Sequence, residues 1–216
     1  MRTSTIPPAT TAPLDAEMLE LVERAQAGDS AAFADLYDQH VDAVYGFIYR
    51  KVTHKQTTED LTSDVFLRAF KSIGRFEYQG KNIRAWLFTI ARNRVADHYK
   101  SAHTRRSRSV DVTPDVVELG SNSPERITEG RVIARRLGEA METLSDSHRE
   151  IIELRFIHEM STQEAAEVMG RSYEATKQLQ FRALRALQQK CRTVPGLAEF
   201  AAAGLAALIN LLKVAI

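Results

Sequence analysis

Apolar side chains recur at three- and four-residue spacing along most of the chain. No stretch alternates with the period of two that marks a half-buried strand. Leu14–Gln26 is amphipathic and stops at Gly28, where Asp29 or Ser30 can cap the next helix. That helix carries Phe33, Leu36, Tyr37, Val41, Val44, Tyr45 and Ile48 as its apolar positions. Thr57 or Thr58 then precedes a helix over Glu59–Ile73, with Leu61, Val65, Leu67, Phe70 and Ile73 as its apolar positions. The pattern predicts an all-α fold.

Residues Arg84–Lys100 hold the one tryptophan of the chain. Wound at about 100° per residue, they put Leu87, Phe88, Ala91, Val95 and Tyr99 on one side as the expected buried stripe. Trp86, Thr89, Asn93, Asp97 and Lys100 gather on the other. A large aromatic among amide, hydroxyl and charged groups suits base stacking beside hydrogen bonds to base edges or phosphates. Lys100, His103, Arg105, Arg106 and Arg108 follow as a basic arm suited to phosphate. The plainer alternative is a core helix with Trp86 half-buried at a seam, and periodicity does not separate the two.

A second helical block follows. Leu144-Ser145-Asp146 opens a helix with Ile151, Ile152, Leu154 and Phe156 on its apolar side. Ser161-Thr162-Gln163-Glu164 is a capping box for a short helix burying Ala165, Ala166, Val168 and Met169. Gly170-Arg171 makes a tight turn, and Ser172 caps a longer helix reaching about Gln189. A short capped helix, a Gly turn and a longer helix rich in Lys177, Arg182, Arg185 and Lys190 form the pattern of a helix-turn-helix. Its start offers Arg171, Ser172, Tyr173, Glu174, Thr176, Lys177, Gln178 and Arg182 to duplex DNA. The plainer alternative is a solvated charged helix in an α-hairpin.

Composition narrows the function classes. With 216 residues, 44% of them hydrophobic, the chain supports one large domain or two small ones. The net charge is only +1, so the distribution of charge, not its sum, bears on nucleic acid. The single Cys191 excludes an internal disulfide and fits a reducing, cytoplasmic compartment. The histidines show no metal-ligand spacing with Cys191, and neither a Gly-rich phosphate loop nor a nucleophile elbow is present. No metal, cofactor or catalytic residue is expected, and the chain does not read as an enzyme. The segments are a Thr/Pro/Ala-rich leader (1–13, expected disordered and not a secretory signal), a first helical domain (14–106), a flexible linker (107–126), a second domain (127–192) and an apolar C-terminal extension (193–216).

Several runs together resemble the extracytoplasmic-function group of sigma factors, the promoter-reading subunits of bacterial RNA polymerase. In the first block they are Ala27-Gly28-Asp29, Ala32-Phe33, Leu36-Tyr37, Glu59–Ala69, Arg75-Phe76 and Arg84–Asn93. In the second they are Leu144, His148-Arg149-Glu150, Leu154-Arg155, Ser161–Ala166, Gly170 and Arg182-Ala183-Leu184. The resemblance implies that the first domain is sigma region 2 and the second sigma region 4. It implies that Asp60, Leu61, Asp64, Leu67 and Arg68 face core RNA polymerase. By the same resemblance Tyr78, Lys81 and Arg84 hold a base flipped from the downstream promoter element, with Trp86, Asn93, Asp97 and Lys100 along the single strand. Partners so implied are core polymerase and promoter DNA, with an anti-sigma factor as a candidate. Arg171, Thr176 and Gln180 depart from residues usual in the family, which implies a rotated or loosely packed recognition helix with Ala175, Leu179, Ala183, Leu184 and Leu187 as its stripe.

Two readings stay open beside this one: a stand-alone helix-turn-helix regulator, and a sigma-like interaction protein regulated through its tail. Leu197–Ile216 is nearly all apolar, yet lacks the flanking Lys/Arg cluster of a membrane span, so membrane contact is not expected. A helix over that range should be buried by the rest of the protein. A restraining role is slightly preferred over plain packing: removal of everything after Pro195 is expected to leave a soluble protein of equal or greater activity.

Overall fold

The computed structural model describes residues 13–77, 82–106, 129–204, 207 and 209–210. The expected linker, all but the last residue of the leader, Tyr78 and Lys81 lie outside the described residues. Every regular element among them is helical, as the periodicity predicts. These are α1 (Pro13–Gln26), α2 (Ser30–Val52), α3 (Lys55–Ser72), α4 (Ile83–Arg106), α5 (Glu129–Glu142), α6 (Asp146–Ile152), α7 (Thr162–Met169), α8 (Tyr173–Arg192) and α9 (Ala198–Ala203). A 3₁₀ turn spans Ile73–Arg75 and a π-helical turn Glu153–Ile157. The chain divides into two compact units, one up to Ser109 and one from Val110.

In the first unit, α1 turns into α2 at Gly28, whose φ of 93° suits a residue without Cβ. Asp29 caps α2: its Oδ1 accepts from the backbone N–H groups of Ala31 (2.9 Å) and Ala32 (3.2 Å). Arg24 donates to the other carboxylate oxygen at 2.6 and 3.0 Å, and this hydrogen bond holds the Asp29 carboxyl below its ordinary range. Helix α3 begins four residues before the expected Glu59. His54 supplies the cap, its Nδ1 accepting from the Thr57 N–H at 3.2 Å. Thr57 and Thr58 therefore lie in the first turn. Helices α2, α3 and α4 pack pairwise, with Phe47 and Phe88 meeting at 5.0 Å.

Four apolar positions of the pattern lie at the surface instead, the first being Tyr37 at 39% exposure. Leu67 and Phe70 are 51% and 52% exposed, because the inner side of α3 is filled by Leu61, Val65, Phe66 and Ala69. Tyr99 is 48% exposed and donates its hydroxyl to the carbonyl of Lys51. A phenol needs a partner for its O–H, and the rim of the unit provides one that the core does not.

The second unit buries Leu137, Ala140 and Met141 of α5, Ile151 and Ile152 of α6, and Leu179, Ala183, Leu184, Leu187 and Cys191 of α8. Arg149 gathers the carbonyls of Met141 (3.3 Å), Glu142 (2.8 Å) and Leu144 (3.4 Å), serving acceptors left open where α5 ends. The capping box forms: Ser161 Oγ accepts from the Glu164 N–H at 3.1 Å, and Glu164 Oε2 accepts from the Ser161 N–H at 2.6 Å. Gly170 closes α7 in the left-handed region at φ 62°.

The start of the tail packs on the second unit, as the plainer alternative has it, but the helix is shorter than expected. Leu197 and Ala201 are fully buried, and Gln188 of α8 donates to the Ala201 carbonyl at 2.8 Å. Arg136 of α5 donates to the Pro195 carbonyl at 2.6 Å. Helix α9 ends after six residues at Gly204, with φ 105° and ψ −179°, a conformation essentially reserved for glycine. The continuous Leu197–Ile216 helix behind the restraint expectation is therefore broken. Its first part is ordinary core of the second unit. Among the described residues, no helix is long and apolar enough to cross a membrane.

Candidate nucleic-acid interface

Helix α4 presents Asn93, Asp97 and Lys100 to solvent, as its polar periodicity requires. Trp86 behaves differently from its neighbours. It is half-buried against the cluster of Val22, Ala25, Ile73, Phe76 and Ile83, and its ring centroid lies 5.1 Å from that of Phe76. The wetter-face placement is thus corrected to a partly packed ring at the edge of a small core. Phe76 arrives from the 3₁₀ turn after α3, which periodicity within α4 does not register. Arg84 is half-buried with its guanidinium 5.9 Å from the Phe88 centroid, and burial, helped by the charge of Arg84, pushes His40 down to about 4.

On α3, Asp60, Leu67 and Arg68 are exposed, and Asp64 is half-buried. Leu61 is corrected: at 7% exposure it belongs to the core and offers no surface to a partner. It lies on the α3 stripe with Val65, as the periodicity has it, and the resemblance alone had turned it toward a partner. Arg94, absent from the sequence-level candidates, organises this region. Its Nε pairs with the Asp64 carboxylate and its Nη1 with Asp97 at 3.1 Å, while Arg68 reaches Asp64 at 3.2 Å. Asp64 thereby ties α3 to α4. The signal was present in the chain as an Arg94-to-Asp97 spacing of three on a helix face.

In the second unit Ser172 Oγ accepts from the Ala175 N–H at 3.3 Å and starts α8 where the sequence places it. Arg171, Tyr173, Glu174, Lys177, Gln178 and Arg182 are exposed around its first turns. Thr176 is corrected: it is fully buried, with Oγ1 donating to the Ser172 carbonyl at 3.0 Å, so it cannot touch a base. It shares the buried stripe of α8 with Leu179, Ala183, Leu184 and Leu187. Gln180 leaves the core and accepts from Arg155 Nε at 2.9 Å. Phe181, 53% exposed beneath the Arg185 guanidinium at 5.0 Å, was also missed. With Glu174, Lys177, Gln178 and Arg182 it lines an open depression on α8. Cations, amides and one aromatic on the outer side of a capped helix can contact base edges, thymine methyls and phosphates together. Among the described residues no group of His, Cys, Asp or Glu is arranged to hold a metal.

Comparison with known proteins bears on both units. The model of sigma-70 region 2 matches residues 36–105, and that of sigma-70 region 4 matches residues 140–189. The ECF RNA polymerase sigma factor BldN of Streptomyces coelicolor is 46% identical over 172 residues, covering 80% of this chain and 65% of the relative. The chain thus spans just under two thirds of that relative's length. The solved structure of CnrH in complex with the cytosolic domain of CnrY is similar with a TM-score of 0.58 at 25% identity, over 81% of this chain and 96% of that one. RpoE in complex with the anti-sigma factor NepR, from Bartonella quintana, gives 0.53 at 25% identity, over 74% and 97%.

Proposed function

Because the chain belongs to the extracytoplasmic-function group of sigma factors, we propose that it binds core RNA polymerase, directs it to particular promoters and helps open the DNA there. The observation that carries this reading is the presence of both sigma-70 models, one on each helical unit. The exposed side chains of α8 serve the duplex upstream element, with Lys177 and Gln178 at base edges and Arg182 at phosphate. Asn93, Asp97 and Lys100, with the edge of Trp86, serve the melted downstream strand alongside Tyr78, Lys81 and Arg84. Asp60, Leu67 and Arg68 face the polymerase. The protein contributes specificity and no chemistry of its own, and it works in the cytoplasm. An anti-sigma factor is a natural partner, since RpoE was captured with one. Transcription in vitro with core polymerase over a fragmented genome tests the reading. Discrete, chain-dependent start sites are expected; duplex binding that neither needs nor engages polymerase would overturn it in favour of a stand-alone regulator.

A further inference from the structure

One polar side chain in the first unit reaches across the fold to the place where a functional segment begins. Gln26 is the last residue of α1, and its Nε2 donates to the carbonyls of Ile73 at 2.9 Å and Phe76 at 2.6 Å. Both neighbours are acceptors, so only the NH₂ end of the amide fits, and both of its hydrogens are used. The two carbonyls bracket the 3₁₀ turn Ile73–Arg75: that of Ile73 also accepts from the Phe76 N–H at 2.9 Å, so Gln26 adds a second donor there and joins the turn to the Phe76 carbonyl beyond it. The side chains of the same two residues are buried with Val22 and Ala25 of α1. Gln26 thus fixes the backbone of a turn whose side chains the core already holds.

The return of the chain is fixed as well. Asn82 Oδ1 accepts from the Arg84 N–H at 2.9 Å, and the Asn82 carbonyl accepts from the Trp86 N–H at 3.1 Å. Ile83 is buried in the same cluster as Phe76, and the Trp86 ring rests on Phe76. Tyr78 and Lys81 lie in the sequence between these two anchored points.

Resting on the reading that Tyr78, Lys81 and Arg84 serve the downstream element, we propose that Gln26 is a positioning residue for strand capture. By holding the Ile73 and Phe76 carbonyls it sets the point and direction from which the chain departs toward Tyr78. It touches no nucleic acid itself. The proposal makes α1, remote in sequence from Tyr78, a determinant of promoter opening.

The test uses the full chain in holoenzyme with core polymerase. Gln26→Glu keeps the shape but removes both N–H donors and sets a carboxylate against two carbonyls. Gln26→Ala removes the group, and Gln26→Arg restores donors. Open complex is followed by permanganate reactivity of unpaired thymines, and base preference by selection on a randomised downstream element. Core affinity, closed-complex affinity and thermal stability are measured in parallel. Gln26→Glu and Gln26→Ala should lower open-complex formation by about ten-fold, the loss expected from two modest hydrogen bonds. They should also relax downstream preference with core and closed-complex affinities unchanged, and Gln26→Arg should recover most of the loss. Wild-type opening and preference in both defective variants would overturn this inference alone. Opening reduced only in proportion to lost stability or lost core binding would do the same, leaving Gln26 a plain structural residue. A wild-type chain that opens no promoter would overturn the functional reading along with it.

Discussion

Asp64 carries charge that two arginines already use. Its carboxylate receives Arg68 and Arg94, so lysine there would set three cations together and loosen α3 from α4. Asp60 is exposed and accepts from Gln56 at 3.2 Å. Asp60→Lys is therefore the cleaner probe of the polymerase face. It should abolish co-purification with core polymerase at native circular dichroism, and retained co-purification would remove Asp60 from that face. Asn93 and Trp86 separate in the same way. Asn93→Ala should weaken open complexes and leave thermal stability untouched. Trp86→Ala should cost both, with stacking losses of roughly 1–3 kcal/mol per base added to lost packing on Phe76. Equal stability loss in the two variants would contradict this division. His40 supplies a pH signature. Burial, with the charge of Arg84, lowers its imidazole from 6.5 to about 4, so below pH 6.5 the unfolded chain binds a proton that the folded one refuses. This source of stability is complete above about pH 6.5 and is lost as pH falls toward 4, by about 3 kcal/mol at most. Thermal unfolding of His40→Leu should show a shallower decline between pH 7 and 5 than the wild type; matching declines would assign the effect elsewhere.

At the scale of the element, α8 divides its residues between two duties by face. Gln178→Ala should change the preferred upstream sequence. Arg182→Ala should weaken all sequences alike and reduce the slope of affinity against salt by about one. A Gln178→Ala protein with unchanged preference on a randomised upstream element would contradict the register. The buried Thr176 sets that register from inside, and Thr176→Val should leave preference intact. Local signals made this element readable in advance. Ser161, Glu164, Gly170 and Ser172 each act on backbone groups within a few residues, so their roles are written in the neighbouring sequence. What escaped the sequence depends on distant partners. Phe76 reaching Trp86, Arg94 reaching Asp64 and Arg155 reaching Gln180 are encounters between helices that no single periodicity contains. His54 escaped for a different reason: an imidazole nitrogen acts as cap acceptor where hydroxyls and carboxylates are the usual signal. Leu61 was misassigned because the resemblance placed it in a functional run while its 3.6-residue phase placed it inside, and Thr176 because the helix-turn-helix pattern offered the whole first turn of α8 without regard to that phase.

For the molecule as a whole, the C-terminal extension has two parts of different consequence. Truncation after Pro195 removes the fully buried Leu197 and Ala201 and the Gln188 bond. It should destabilise the second unit by about 2 kcal/mol or more, the worth of one buried leucine, with transcription lost in step. Truncation after Gly204 keeps these contacts and should leave the second unit melting higher than truncation after Pro195 does. If both truncations melt alike, the assignment of Leu197 to the core fails. The contacts that close the second unit, Arg136 to Pro195 and Gln188 to Ala201, cluster at the end of α8 opposite Tyr173. At 1.5 Å per residue those ends stand roughly 30 Å apart. Lys177 and Gln178, which we propose choose the promoter, are exposed and take no part in those contacts. Mutation can rewrite Lys177 and Gln178 without an accompanying toll on integrity, so after a gene duplication two copies could diverge toward separate sets of promoters through a handful of surface changes.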